Sequence, residues 1–98
     1  MILEHALLNV ITGREPEFEV AFAEARKIIE SMPGLISVRI SRCVEVPTKY
    51  LLLVEWGTLE DHTIGFRQSP EYQLWREMLH YFYEPFPTVE HYADLKQA

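Results

Sequence analysis

Asn9 and His62 are the side chains whose type and setting first suggest chemistry. Asn9 is an amide inside an otherwise apolar stretch, where leaving it unpaired would cost roughly 1–3 kcal/mol. One account has it bond a neighbouring backbone group or a buried water. The other points it into a pocket, against a carbonyl, a phenolate oxygen or an oxygen intermediate. His62, with an ordinary pKa of about 6.5, suits a general base that removes a phenolic proton. A surface or capping role is the plainer account of it. Phe66, Tyr72, Trp75 and Leu79, with Phe82, supply apolar and aromatic surface at helical spacing. Such a stripe is core, or it walls a flat hydrophobic slot for a polycyclic ligand, with Trp75 and Tyr72 adding a polar handle. Arg67 and Arg76 are solvated, or they anchor an acidic group.

His5 shares strand parity with Asn9, and His91 falls near the C-terminus; both read as structural or interface residues. The 4 His are dispersed without an i, i+4 helical pair, and Cys43 is the single cysteine, so neither a metal site nor an intramolecular disulfide is expected. Cys43 itself reads as a small strand residue. Neither a dinucleotide-binding glycine motif nor a phosphate loop is present, and no cofactor is expected.

Positioning such residues requires regular elements. Ile2 to Thr12 reads as a strand, with Leu3, His5, Leu7, Asn9 and Ile11 on one side and Ile2, Glu4, Ala6, Leu8 and Val10 on the other. Both sides are largely apolar, as in a strand buried on both faces. Gly13 breaks it, and Glu15-Pro16-Glu17 opens a helix whose Phe18, Phe22, Ala25, Ile29 and Met32 make one apolar stripe. Pro33-Gly34 ends that helix. Leu35 to Val46 alternates, with Ile36, Val38, Ile40 and Val44 on one side, and Lys49 to Trp56 returns as its antiparallel partner. Thr58 with Asp61 fits a helix cap, and Ser69-Pro70-Glu71 marks a second helix start. Pro85 and Pro87 stop that helix, Thr88 to Asp94 is a last strand, and 96–98 are a polar tail.

The predicted order is β-α-β-β-α-β, a ferredoxin-like α+β fold with a four-stranded antiparallel sheet in a single domain spanning 1–98. A chain of 98 residues with 48% apolar content has more apolar surface than one small core needs. Pairing two sheets face to face in a homodimer would bury the surplus. The net charge of −6, with no clustered basic face, argues against nucleic acid. The N-terminal apolar run carries Glu4 and His5 and is too short for a membrane span, so a soluble cytoplasmic protein with no membrane partner is expected.

Taken in order, Leu51-Leu52-Leu53-Val54-Glu55-Trp56, Glu60-Asp61-His62 and Gly65-Phe66-Arg67-Gln68-Ser69-Pro70-Glu71-Tyr72 resemble the central signature of the antibiotic biosynthesis monooxygenase family. Pro87-Thr88-Val89-Glu90-His91-Tyr92 is similar to its last strand, and Gly13-Arg14-Glu15-Pro16-Glu17-Phe18 to its first helix opening. The resemblance implies a dimeric α+β barrel with a pocket in each subunit between helices and sheet. It also implies a small hydrophobic or aromatic ligand and, in some members, oxygenation with O₂ and neither metal nor flavin. Members that degrade haem use a strand Asn, a Trp and a His ligand. Asn9 matches the first, but Phe66 and Arg76 stand at the other two positions, so haem chemistry is not expected. The leading expectation is a cofactor-independent monooxygenase of a small phenol, hydroquinone or polyketide-type aromatic. Asn9 and His62 would be its catalytic groups, and Phe66, Tyr72, Trp75, Arg76 and Leu79 would bind substrate. A non-catalytic binding module, and an isomerase or lyase on the same fold, are the rivals.

Overall fold

The computed structural model describes residues 1–95; the tail expected at 96–98 lies outside the described residues. Four strands, β1 (Ile2–Asn9), β2 (Leu35–Arg42), β3 (Lys49–Trp56) and β4 (Val89–Ala93), form one sheet in the order β2-β3-β1-β4. Every pairing is antiparallel. Helices α1 (Glu15–Glu30) and α2 (Pro70–Leu79) cover one face, which completes the ferredoxin-like arrangement.

The helices settle which side of each strand is inside. Glu4, Ala6, Leu8 and Val10 of β1 are buried beneath them, as are Tyr50, Leu52, Val54 and Trp56 of β3. α1 contributes Phe18, Phe22, Ala25 and Ile29, spaced so that they fall on one face, and Pro sits in its first turn where a missing N–H costs nothing. α2 begins at Ser69, whose hydroxyl accepts the Tyr72 backbone N–H at 3.2 Å, and it buries Trp75 and Leu79. Truncating one of the large buried side chains to Ala, Phe18 or Phe66 for example, is expected to cost about 3–5 kcal/mol.

Two expectations need correction at the edge of the sheet. β2 stops at Arg42, because 43–49 closes a tight loop through Cys43 N–H to the Lys49 carbonyl at 2.8 Å and Lys49 N–H to the Val46 carbonyl at 2.9 Å. Val44 is therefore exposed. A bulge between Leu35 and Ser37 turns Ile36 out to solvent as well, leaving Val38 and Ile40 to face the helices.

The Thr58–Asp61 cap forms in both directions, with Thr58 N–H to Asp61 Oδ2 at 2.9 Å and Asp61 N–H to Thr58 Oγ1 at 3.2 Å. It opens a single π-helical turn, Asp61–Phe66, and not an α-helix. The wide turn is visible in the Arg67 N–H, which donates to the His62 carbonyl at 3.0 Å across five residues. After α2, a short 3₁₀ turn (His80–Phe82) leads back to β1. There Val10 bridges Tyr83, and Glu84 N–H donates to the Asn9 carbonyl at 2.8 Å.

Gly34 sits where α1 hands over to β2, at φ +83°, and its carbonyl accepts the Gly57 N–H at 2.8 Å. A β-carbon there would meet the Asp61 carboxyl that caps the π-turn. Gly13 also has a positive φ, of 92°, but opens onto empty space. Gly34→Ala should therefore lower unfolding free energy by about 2 kcal/mol or more, and Gly13→Ala by only about 1 kcal/mol. Urea unfolding of both variants checks this; equal losses would remove the Gly34–Asp61 packing argument.

Candidate functional site

The helices leave a cavity of about 300 Å³ against the sheet, near the lower limit for small-molecule sites. Ala6, Leu8 and Leu52 supply its sheet side, and Phe66, Tyr72 and Trp75 its helical walls. Tyr83, Phe86, Pro87 and Val89 enclose it from the returning segment, and His80 joins them. The rings interlock edge to face: Phe66 meets Tyr72 at 5.3 Å and Trp75 at 5.7 Å, between centroids. Such T-shaped contacts hold flat walls in place.

Glu4, His62 and Arg67 make one region of the lining polar. Glu4 lies on the helix-facing side of β1, between Ile2 and Ala6, and is 6% exposed. Its cross-strand partner on β4 is His91, and Trp56 stands two residues beyond its partner Val54 on β3. Both neighbours are thus delivered by register. Trp56 Nε1–H donates to Glu4 Oε1 at 2.9 Å, a bond buried on both sides. The π-turn lowers the His62 ring onto this group, stacked on Trp56 at 5.3 Å with 16° between the planes. His62 Nε2 stands 3.3 Å from Glu4 Oε1, and His62 Nδ1 lies 2.7 Å from His91 Nε2, in hydrogen-bonding contact.

Burial sets the charge state of this group. It pushes the Glu4 carboxyl above its ordinary value, against the pull of the Trp56 N–H and the Arg67 charge. It pushes His62 down to about 3, and Arg67 and His91 add to that shift. Both shifts favour a neutral carboxyl beside a neutral imidazole over an ion pair. His91 is lowered by burial and by Arg67, and His80 by burial and by Arg76. The Tyr83 phenol is pushed up by burial, so it stays protonated and able to donate.

Of the residues expected from sequence, His62, Phe66, Tyr72 and Trp75 come together around the cavity. His62 is in the buried wall and not at a mouth, with both ring nitrogens against protein groups. Leu79 is fully buried in the core and does not line the cavity. Arg76 is exposed and outside the lining; Arg67 is the arginine that reaches it. Asn9 is placed elsewhere. Strand alternation puts it with His5 and Leu7 on the uncovered face, beside Thr12, Thr48 and Glu84 in a separate surface depression. The helices chose the Glu4 side of β1, and that choice separates Asn9 from His62.

Glu4 is the principal residue that sequence reasoning passed over. An acid in step with Ala6, Leu8 and Val10 was the available signal. His91 had no comparable signal, because its role depends on the β1–β4 register.

A family model described as antibiotic biosynthesis monooxygenase matches residues 1–78. YczJ of Bacillus subtilis, an uncharacterised protein, is 57% identical over 95 residues, covering 97% of this chain and 100% of that one. A crystal structure from Bordetella bronchiseptica, named for the antibiotic biosynthesis monooxygenases, superimposes with a TM-score of 0.90 at 35% identity and covers 97% of each chain. A solved structure from Nitrosomonas europaea, similarly named, has the same fold at a TM-score of 0.81 and 20% identity, covering 98% of this chain and 100% of that one. Sequence pattern, whole-length identity and fold agree: the chain belongs to the antibiotic biosynthesis monooxygenase family.

Proposed function

We propose that this protein is a cofactor-independent monooxygenase that oxidises a small phenol, hydroquinone or polyketide-type aromatic with O₂ in the cavity beneath α2. The observation that carries the reading is an aromatic-walled space whose polar region holds a buried carboxyl, an imidazole and a guanidinium. Flat walls suit a flat substrate. The Glu4 carboxylate, once formed, takes the phenolic proton, and its raised proton affinity makes it a better base than a solvated glutamate. Arg67 makes no ion pair among the described residues and is free to stabilise the phenolate.

The phenolate then gives one electron to O₂, and the resulting radicals combine at a hydrogen-bearing ring carbon, para to the oxygen in a simple phenol or ortho to it in a hydroquinone. Protonated Glu4 returns its proton to the peroxide. Loss of the ring C–H proton with cleavage of the O–O bond releases water and leaves a quinone. One O₂ is consumed for each quinone and each water formed, so atoms and electrons balance without an added reductant. The chain's part is to exclude water, hold the ring and move that proton.

Oxygen uptake by protein stripped of metal and flavin, across a panel of hydroquinones and anthrone-like phenols, tests this reading. The expected result is uptake matched by quinone formation, with kcat reduced about 10²-fold or more in Glu4→Gln while substrate still binds saturably. Saturable binding without uptake would replace the reading with a binding module, and turnover under nitrogen with an isomerase or lyase.

We propose also that the uncovered sheet face pairs with a second copy of the chain. Leu3, Leu7, Leu51 and Leu53 line up there beside Tyr92, and the His5 Nδ1 is buried without a hydrogen-bond partner among the described residues. Light scattering should give about twice 11.5 kDa, and Leu53→Glu should give the monomer mass. A monomeric native protein would overturn the pairing.

A further inference from the structure

Glu4 and His62 are both buried, 6% and 3% exposed, yet the side chains beyond them lead outward. His62 Nδ1 touches His91 Nε2 at 2.7 Å, and His91 is only half-buried on the edge strand β4. A carboxyl that is to act repeatedly as a base must exchange its proton with water, and the Glu4 side chain is itself buried.

We propose that His62 and His91 are a proton relay that connects Glu4 to solvent across β4. Only the purpose of Glu4 in this scheme rests on the oxygenase reading; the wiring does not.

The relay has two balanced states. In the first, Glu4 is protonated; its O–H points at His62 Nε2, and His62 Nδ1–H donates to His91 Nε2. In the second, Glu4 is a carboxylate facing His62 Nε2–H, and His91 Nε2–H donates to His62 Nδ1. Passing between them moves the carboxyl proton to His62 Nε2, the His62 Nδ1 proton to His91 Nε2, and the His91 Nδ1 proton to water. One proton leaves, both imidazoles stay neutral and exchange tautomers, and Trp56 Nε1–H holds Glu4 Oε1 throughout. The 3.3 Å approach of Glu4 to His62 is the longest gap in the chain.

The charged and titratable surroundings support neutral carriers. Arg67, at the end of the π-turn, disfavours a cation on either histidine. From β3 the neighbour is Trp56; elsewhere around the cavity stand Tyr72, His80 and Tyr83. None is an anion that would trap the proton on an imidazole. Trp56 acts as a positioning residue: it fixes one carboxyl oxygen and stacks on the His62 ring.

Carbon and nitrogen NMR of the histidine rings in the full-length protein reads the tautomers directly. The expected result is that His62 and His91 switch tautomer together, as neutral rings, at one midpoint above the ordinary glutamate range, and that Glu4→Gln abolishes the switch. Separate midpoints, or fixed tautomers with each ring charging on its own, would overturn the relay in the native protein alone, whatever the variants do. The kinetic counterpart is His91→Ala, with its fold checked by amide spectra. It should lose at least about tenfold in kcat at unchanged KM, gain a solvent isotope effect and recover with added imidazole. Coupled switching without oxygen uptake would sink the oxygenase reading and keep the relay. Oxygen uptake with fixed tautomers and an unimpaired His91→Ala would do the reverse.

Discussion

A carboxyl group on the buried face of a central strand is the constraint around which the rest of this protein is arranged. An unpaired Glu4 would be one of the most costly side chains the fold could bury, because its carboxyl is almost wholly removed from solvent. It is tolerated because three elements converge on it. β3 ends on Trp56 and contributes an indole N–H, the π-turn brings His62, and β4 brings His91 behind His62. The turn and its cap each have a local feature that makes sense from here. The turn is π and not α, so that the His62 carbonyl is bonded by Arg67 N–H and the Arg67 side chain reaches the same cavity as the imidazole. The cap that starts the turn packs on Gly34, which ties the end of α1 into the same corner.

Apolar packing supplies the other half of the site. Phe66 touches Trp56, Tyr72 and Trp75 through ring contacts, while Phe18 touches Phe22, Tyr50, Phe82 and Tyr83. These rings form a continuous aromatic layer between helices and sheet, and the cavity is where that layer is incomplete. A space made by stiff two-torsion side chains keeps its shape better than one made by long flexible chains. Shape is then decided by the core, and chemistry by the few polar groups at the Glu4 region.

Most of the architecture was legible in the sequence because punctuation and period agreed. Pro16, Pro33-Gly34, Ser69-Pro70 and the apolar run within Lys49–Trp56 each mark a boundary or a strand that the structure contains. The site was less legible, for a physical reason. β1 is apolar on both sides, so its pattern does not say which side receives the helices; Asn9 and Glu4 were equally placed until tertiary packing chose. The aromatic wall of Phe66, Tyr72 and Trp75 could be read because helical spacing shows which residues share a face. His91 could not, since it meets Glu4 only through strand register, and the π-turn could not, since one widened turn leaves no mark in a hydrophobic period. Bulges behave similarly: Ile36 fits the alternation of β2 and still faces solvent.

The two faces of β1 divide the work of the molecule. Glu4, Ala6 and Leu8 line a cavity built from residues of one chain, whereas Leu3, His5, Leu7 and Asn9 look the other way. A neighbour placed on the open face would therefore bear on the cavity through the backbone of β1 and β3, not by adding a side chain to its lining. β4 is where the two roles meet. Its His91 points toward His62, while Tyr92, next in sequence, packs edge to face on His5 across the uncovered side at 5.7 Å. A five-residue edge strand with one histidine in the polar chain and one tyrosine on the apolar face is a short lever. Small shifts in its pairing with β1 would move the His62–His91 contact, so the relay depends on how firmly that edge is held.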